Sequence, residues 1–237
     1  MARASAETET GRVCPLGVCD GSGWILGPED VARPCDCRED RLRRARTRGI
    51  ASVIPAKYRG VSFDRPPVTE IEPMVVRVVR SYTEDIDANL DAGRGLWLMG
   101  DTGTGKTTLA MLISKQVLAG GRAVAIYSLP KLLARIRRTY DAEPGGESYL
   151  ALFEQLTSVD LLHIDDLGAE KRSDWVLEQL YALVNERYES QRSIVVTTNL
   201  DEVALREQIG ARTVSRLVEM CSERMVPMYG NDMRMLG

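Results

Sequence analysis

No run in this sequence approaches the roughly 18 continuous apolar residues that a membrane span requires, so no membrane partner is expected. The first residues, M-A-R-A-S-A-E-T-E-T, hold no apolar core of the kind a secretory leader needs. A cytoplasmic chain is expected, and its five cysteines are then not expected to form disulfides. Positive charge is not in excess either. With a formal net charge of −3, any contact with nucleic acid must come from a local basic patch, not from a global field. Histidine occurs once, as His163, inside an apolar run where a core filler is expected rather than a metal ligand.

What is present is ordinary for a globular protein. Apolar residues make up 44% of 237 and charged residues 27%, enough for one full α/β domain plus something small. The informative stretch is L-W-L-M-G-D-T-G-T-G-K-T-T, residues 96–108. Four apolar residues run into Gly100, and 100–107 matches G-x-x-x-x-G-K-[ST]. A helical apolar pattern follows from Leu109. This is strand, glycine turn, helix. Gly100, Gly103 and Gly105 let backbone N–H groups turn inward toward a phosphate, because no Cβ blocks the turn. A helix starting near Lys106 points its positive end at that anion. Lys106 can reach the β- and γ-phosphates, and the Thr107 hydroxyl can ligate Mg²⁺. Asp101, Thr102, Thr104 and Thr108 complete the expected nucleotide loop.

Ahead of this lies a different kind of segment. Residues 1–12 are small and polar and are read as a disordered tail. Cys14 and Cys19, then Cys35 and Cys37, form two close pairs separated by a glycine-rich turn. A tetrahedral Zn²⁺ wants four soft ligands, and two cysteine pairs on tight turns supply them. So short a segment has little core, so metal would supply its folding energy. Four free thiols on a loose arm are the plainer alternative. Residues 38–48 carry six arginines against two acids, which suits a solvated helix or linker, or a nucleic-acid or partner contact. Residues 49–67, with Pro55, Pro66 and Pro67, are read as a linker, and 68–237 as the ATPase domain.

Downstream, Ile71 to Leu90 repeats at helical spacing, ending at Gly93 and Gly95. Val124–Tyr127 is a short strand. Over 131–140, Leu132, Leu133 and Ile136 form one helix face, while Lys131, Arg135 and Arg138 share another at i, i+4, i+7. Val159–Ile164 is a buried strand closing on Asp165 and Asp166. An apolar strand ending in acids, downstream of a phosphate loop, is a Walker B arrangement. Asp165 would hold the Mg²⁺ water shell and Asp166 orient or deprotonate the attacking water. Ser193–Thr198 is a further strand ending at Asn199, whose amide could touch the γ-phosphate or the attacking water. Helices near 201–208 and 212–221 and a last strand near 225–229 follow. Cys221 sits on an apolar helix face and is read as core. Buried strands alternating with helices predict an α/β fold, a parallel sheet flanked on both sides.

These motifs, with L-L-H-I-D-D-L-G, V-V-T-T-N and A-R-T-V-S-R-L, resemble the AAA+ P-loop ATPases of the DnaC/DnaI helicase-loader and IstB transposition-helper group. The resemblance covers about residues 53–237. The cysteine segment is similar to N-terminal domains of loaders and would be a zinc-binding, helicase-docking domain with its basic helix, residues 13–48. The resemblance implies a sensor role for Asn199 and an arginine finger at Arg216, with Arg212 as runner-up. Such a finger reaches the ATP of a neighbouring subunit and makes hydrolysis depend on self-association. It also places Lys131, Arg135 and Arg138 where related initiators carry a helix lining single-stranded DNA. About 20 residues follow Arg216, too few for a full helical lid. Arg234 resembles an ending found in lidless members. Asp166 is one methylene shorter than the usual Glu, so a weak, partner-dependent ATPase is expected. The implied function is loading of a replicative DNA helicase with ATP, Mg²⁺ and structural Zn²⁺. The alternatives are an IstB-like transposition helper on duplex DNA, a small kinase, and an adaptor that binds ATP but barely turns it over.

Overall fold

A computed structural model describes residues 14, 16–27, 31–38, 54–141, 146–222, 224–230 and 232. The chain divides into two units, at Gly49 and Ile50. The small unit holds an antiparallel hairpin, β1 (Trp24–Leu26) and β2 (Ala32–Pro34), with Trp24 opposite Pro34. Its buried centre is Cys14, Cys35 and Cys37.

The large unit is a five-stranded sheet, β3 (Leu96–Gly100), β4 (Val124–Ser128), β5 (Leu161–Asp165), β6 (Ser193–Thr198) and β7 (Met225–Met228). The order is β4-β5-β6-β3-β7 and every pairing is parallel. Every residue of β3, β5 and β6 is buried, which is why these strands read as continuous apolar runs rather than alternating ones. Alternate residues feed opposite cores. Trp97, Met99, Leu162, Ile164, Ile194 and Val196 pack on one side, and Leu96, Leu98, Leu161 and Val195 on the other.

The helices are α1 (Pro73–Glu84), α2 (Ile86–Asp91), α3 (Lys106–Ala119), α4 (Leu129–Tyr140), α5 (Tyr149–Ser158), α6 (Asp174–Glu189), α7 (Glu202–Ile209) and α8 (Ala211–Cys221). The long pattern over 71–90 breaks at Asp85, so it forms two helices rather than one. Side chains cap several first turns: Glu72, Ser148, Ser173 and Asp201 accept the N–H groups of Val75, Ala151, Val176 and Ala204. Helix α3 is entered through Gly105, at φ 94°, with no side-chain cap, so its N-terminal N–H groups face the turn that precedes it.

Two buried polar side chains tie the layers together. Arg187 is fully buried and donates to the carbonyls of Leu156, Thr157, Val159, Asp160 and Ser193. Burial pulls its pKa down to about 9. His163 is also fully buried, with Nδ1 3.0 Å from Ser114 Oγ, and joins β5 to α3 as a core residue.

The described part of the segment read as connecting, 54–67, packs on the large unit. Lys115 of α3 donates to the carbonyls of Arg59 and Val61, and Val61 is buried. Among the described residues no helix follows Cys221, and none is long and apolar enough to cross a membrane. The readings made on 1–12, on 39–48 and on Arg234 fall outside the described residues.

Candidate functional site

The phosphate loop leaves β3 at Gly100, at φ 127°. A Cβ here would stand 2.2 Å from the Met228 carbonyl oxygen, so only glycine lets β7 approach this closely. The loop is braced from that side. Asp101 donates its N–H to Met228 O (3.0 Å), and Gly230 donates its own to Asp101 Oδ2 (3.1 Å). Asp232 lies over Gly103, where a Cβ would come within 1.9 Å of its carboxylate. Within the loop, Thr104 Oγ1 donates to Asp101 O. Thr102 is exposed and Thr108 half-buried. Lys106 is buried and its ammonium donates to the carbonyls of Gly100 (2.9 Å) and Asp101 (2.5 Å). Its charge therefore sits at the mouth of the loop, beside the start of α3.

Thr107 and the strand-end acids are brought together. Thr107 Oγ1 donates to Asp165 Oδ1 at 2.9 Å, and Thr197 Oγ1 donates to the same oxygen at 2.7 Å. Thr197 in turn accepts the Asp166 N–H at 2.9 Å. Asp166 takes φ 56°, an uncommon conformation for a non-glycine residue, which turns the chain sharply at the strand end. Thr198 closes the same corner by donating to Leu167 O. A hydroxyl and a carboxylate this close are hard oxygen donors that fit Mg²⁺ beside a phosphate. Asn199 follows on β6, exposed, at the end of the strand adjacent to β5. Thr197 was not singled out in the sequence. It hides in an apolar β-branched run, and only its pairing with Asp165 across two strands gives it a role.

The four cysteines also converge. Their sulfurs all lie within 4.8 Å of one another, with Cys14 and Cys35 at 3.9 Å and Cys19 and Cys37 at 3.6 Å. Four sulfurs each about 2.3 Å from a tetrahedral metal stand about 3.8 Å apart, so the spacing fits such an ion. The N–H groups of Cys19 and Val18 turn toward Cys14 and lower its pKa to about 6, favouring the thiolate. Burial raises that of Cys37. Cys221 is separate and buried, and burial lifts its pKa to about 12, as a core thiol requires.

The basic face of α4 is only partly free. Lys131, Arg135 and Arg138 line a cleft of about 700 Å³ with Tyr127 and Glu147. Arg135 is committed there. Its Nε donates to Glu147 Oε2 at 3.0 Å, and its guanidinium also donates to the Tyr127 hydroxyl. Lys131 and Arg138 stay exposed. Beside them, Tyr140 stacks on Tyr149 with centroids 5.8 Å apart, and Arg137 lies 4.5 Å over Trp175.

Arg216 is half-buried on α8, and Arg212, one turn earlier, is exposed. Arg216 lies 4.3 Å over the Tyr188 ring.

The family of IstB-like ATP binding proteins matches residues 43–235. The replicative helicase loader DnaC of Buchnera aphidicola (strain APS) is 26% identical over 164 residues, which is 68% of this chain and 64% of that protein. The uncharacterized protein YdaV of Escherichia coli K12 is 30% identical over 118 residues, half of this chain and 46% of that protein. The chain thus spans about half to two thirds of the length of these relatives. A crystal structure of the DnaC helicase loader matches at a TM-score of 0.61 and 22% identity, covering 74% of this chain and 99% of that one. At that identity the match shows the fold.

Proposed function

The chain belongs to the family of IstB-like ATP-binding proteins, and within it we propose an ATP-dependent loader of a replicative DNA helicase. The observation that carries this reading is the cysteine cluster. The four sulfurs cluster within a unit of their own ahead of the ATPase domain, which suits a separate docking module. Cys14, Cys19, Cys35 and Cys37 would hold Zn²⁺ as a structural ion. The relatives named DnaC are helicase loaders, which supports the same partner here.

In the large unit, ATP lies along the loop 100–108. Lys106 balances phosphate charge, while Thr107 and Asp165 hold Mg²⁺. Asp166 orients the attacking water and Asn199 contacts the γ-phosphate. Arg216 reaches a neighbouring subunit's nucleotide, so hydrolysis follows self-association. Lys131 and Arg138 track the phosphates of single-stranded DNA, and Arg135, matched by Glu147, shapes the cleft between them. The test is capture with the full chain. Zinc-loaded protein should retain a hexameric replicative helicase, and Cys35→Ser protein should not. A second reading is a transposition helper acting on duplex DNA, which the resemblance to the IstB group implies. Capture of a transposase in place of a helicase would select it.

A further inference from the structure

Arg216 is held by two helices. Its Nε donates to Asn185 Oδ1 of α6 at 3.3 Å, and Nη1 lies 3.5 Å from Glu219 Oε1, one turn on in α8. The Arg216 guanidinium carbon stands 4.3 Å from the centroid of the Tyr188 ring of α6. Tyr188 also donates its hydroxyl to Glu219 Oε2 at 2.6 Å, so the ring that carries the arginine also holds the carboxylate that neutralises it. Asn185 is itself fixed, donating Nδ2 to Glu189 at 2.9 Å.

This cluster is not built like a structural ion pair. The Arg216 side chain is 34% exposed and that of Glu219 49%. A pair so wet is weakly bound and easily exchanged. The Glu219 contact, at 3.5 Å, is long, and a guanidinium suits two oxygens of a phosphate, a stronger acceptor than one shared carboxylate.

We propose that Glu219, tethered by Tyr188, is a latch on Arg216. It positions the guanidinium on α8 in the isolated subunit and yields it to the γ-phosphate of ATP bound to a neighbouring copy of this chain. The latch rests on the reading of Arg216 as a trans-acting finger. Glu219 and Tyr188 are positioning residues, and neither touches the nucleotide.

The test is ATP turnover as a function of protein concentration, with the full chain. Glu219→Gln keeps the shape and removes the competing charge. Its half-maximal turnover should come at about threefold lower protein concentration than wild type, with the plateau kept within about twofold. Tyr188→Phe keeps the ring and cuts the tether, and should shift the midpoint the same way by less. An unmoved midpoint, or a lowered plateau, overturns the latch. Mixing Arg216→Ala with Lys106→Ala subunits separates the two levels. Recovered hydrolysis with an unmoved Glu219→Gln midpoint removes the latch alone. No recovery at any ratio removes the finger reading and the latch with it.

Discussion

Thr107 and Asp165 are 58 positions apart in the chain and 2.9 Å apart in space. One opens α3 and the other closes β5, so the contact joins the phosphate loop to the strand-end acids across the sheet. Both oxygens are the kind Mg²⁺ takes. Thr107→Val and Asp165→Asn should each lower ATP turnover by about a hundredfold or more at saturating Mg²⁺. Both variants should still unfold cooperatively, with a stability loss of about 1–3 kcal/mol at most for the partner removed from Asp165. Full turnover in either variant would detach the contact from catalysis.

Thr197 holds Asp165 and Asp166 at once, by its hydroxyl and through the Asp166 N–H. Thr197→Val is nearly the same shape but leaves a buried carboxylate and an N–H each one partner short. A loss of about 1–3 kcal/mol in unfolding free energy is expected. Turnover should also fall, while Thr197→Ser should retain most of both. The paired denaturation and turnover measurements check this.

The cysteine unit should depend on metal. Removal of zinc with a chelator should melt the region around residues 14–38 and leave 54–230 folded, because the large unit has its own core. Hydrogen exchange resolves the two. Metal analysis of the full chain should give about one equivalent of zinc, and Cys35→Ser should bind little.

Acid should destabilise the fold through His163. Burial lowers its pKa from 6.5 to about 3. Between those values the unfolded chain binds a proton that the folded chain does not. Stability from this group is therefore complete above pH 6.5 and falls as pH drops, by up to about 1.4 kcal/mol per pH unit. His163→Gln removes that contribution. Its unfolding midpoint should fall less steeply than wild type between pH 6.5 and 4.5.

The sheet and loop were legible in the sequence because they are local. Leu96–Gly100 and Leu161–Asp165 are buried on both faces, so their apolar runs and terminal polar residues announce them. Glycines at 100, 103 and 105 mark a turn no other residue would make. The cysteines were legible as a set, since soft ligands in close pairs have few other uses. Contacts between distant residues were not. The brace from Met228, Gly230 and Asp232 onto the loop carries no local pattern. Arg135 and Arg138 read alike by spacing, and only the fold brings Glu147 to one of them. The helix break at Asp85 is equally silent, because apolar spacing continues through it.

The most direct measurement of the loader reading uses closed circles of single-stranded DNA, the matching replicative helicase and this chain. With ATP, helicase should be retained on the circles, and Lys106→Ala protein should retain little of it. Circles left bare by the wild-type protein, with the same protein binding a transposase or duplex DNA instead, would contradict the account.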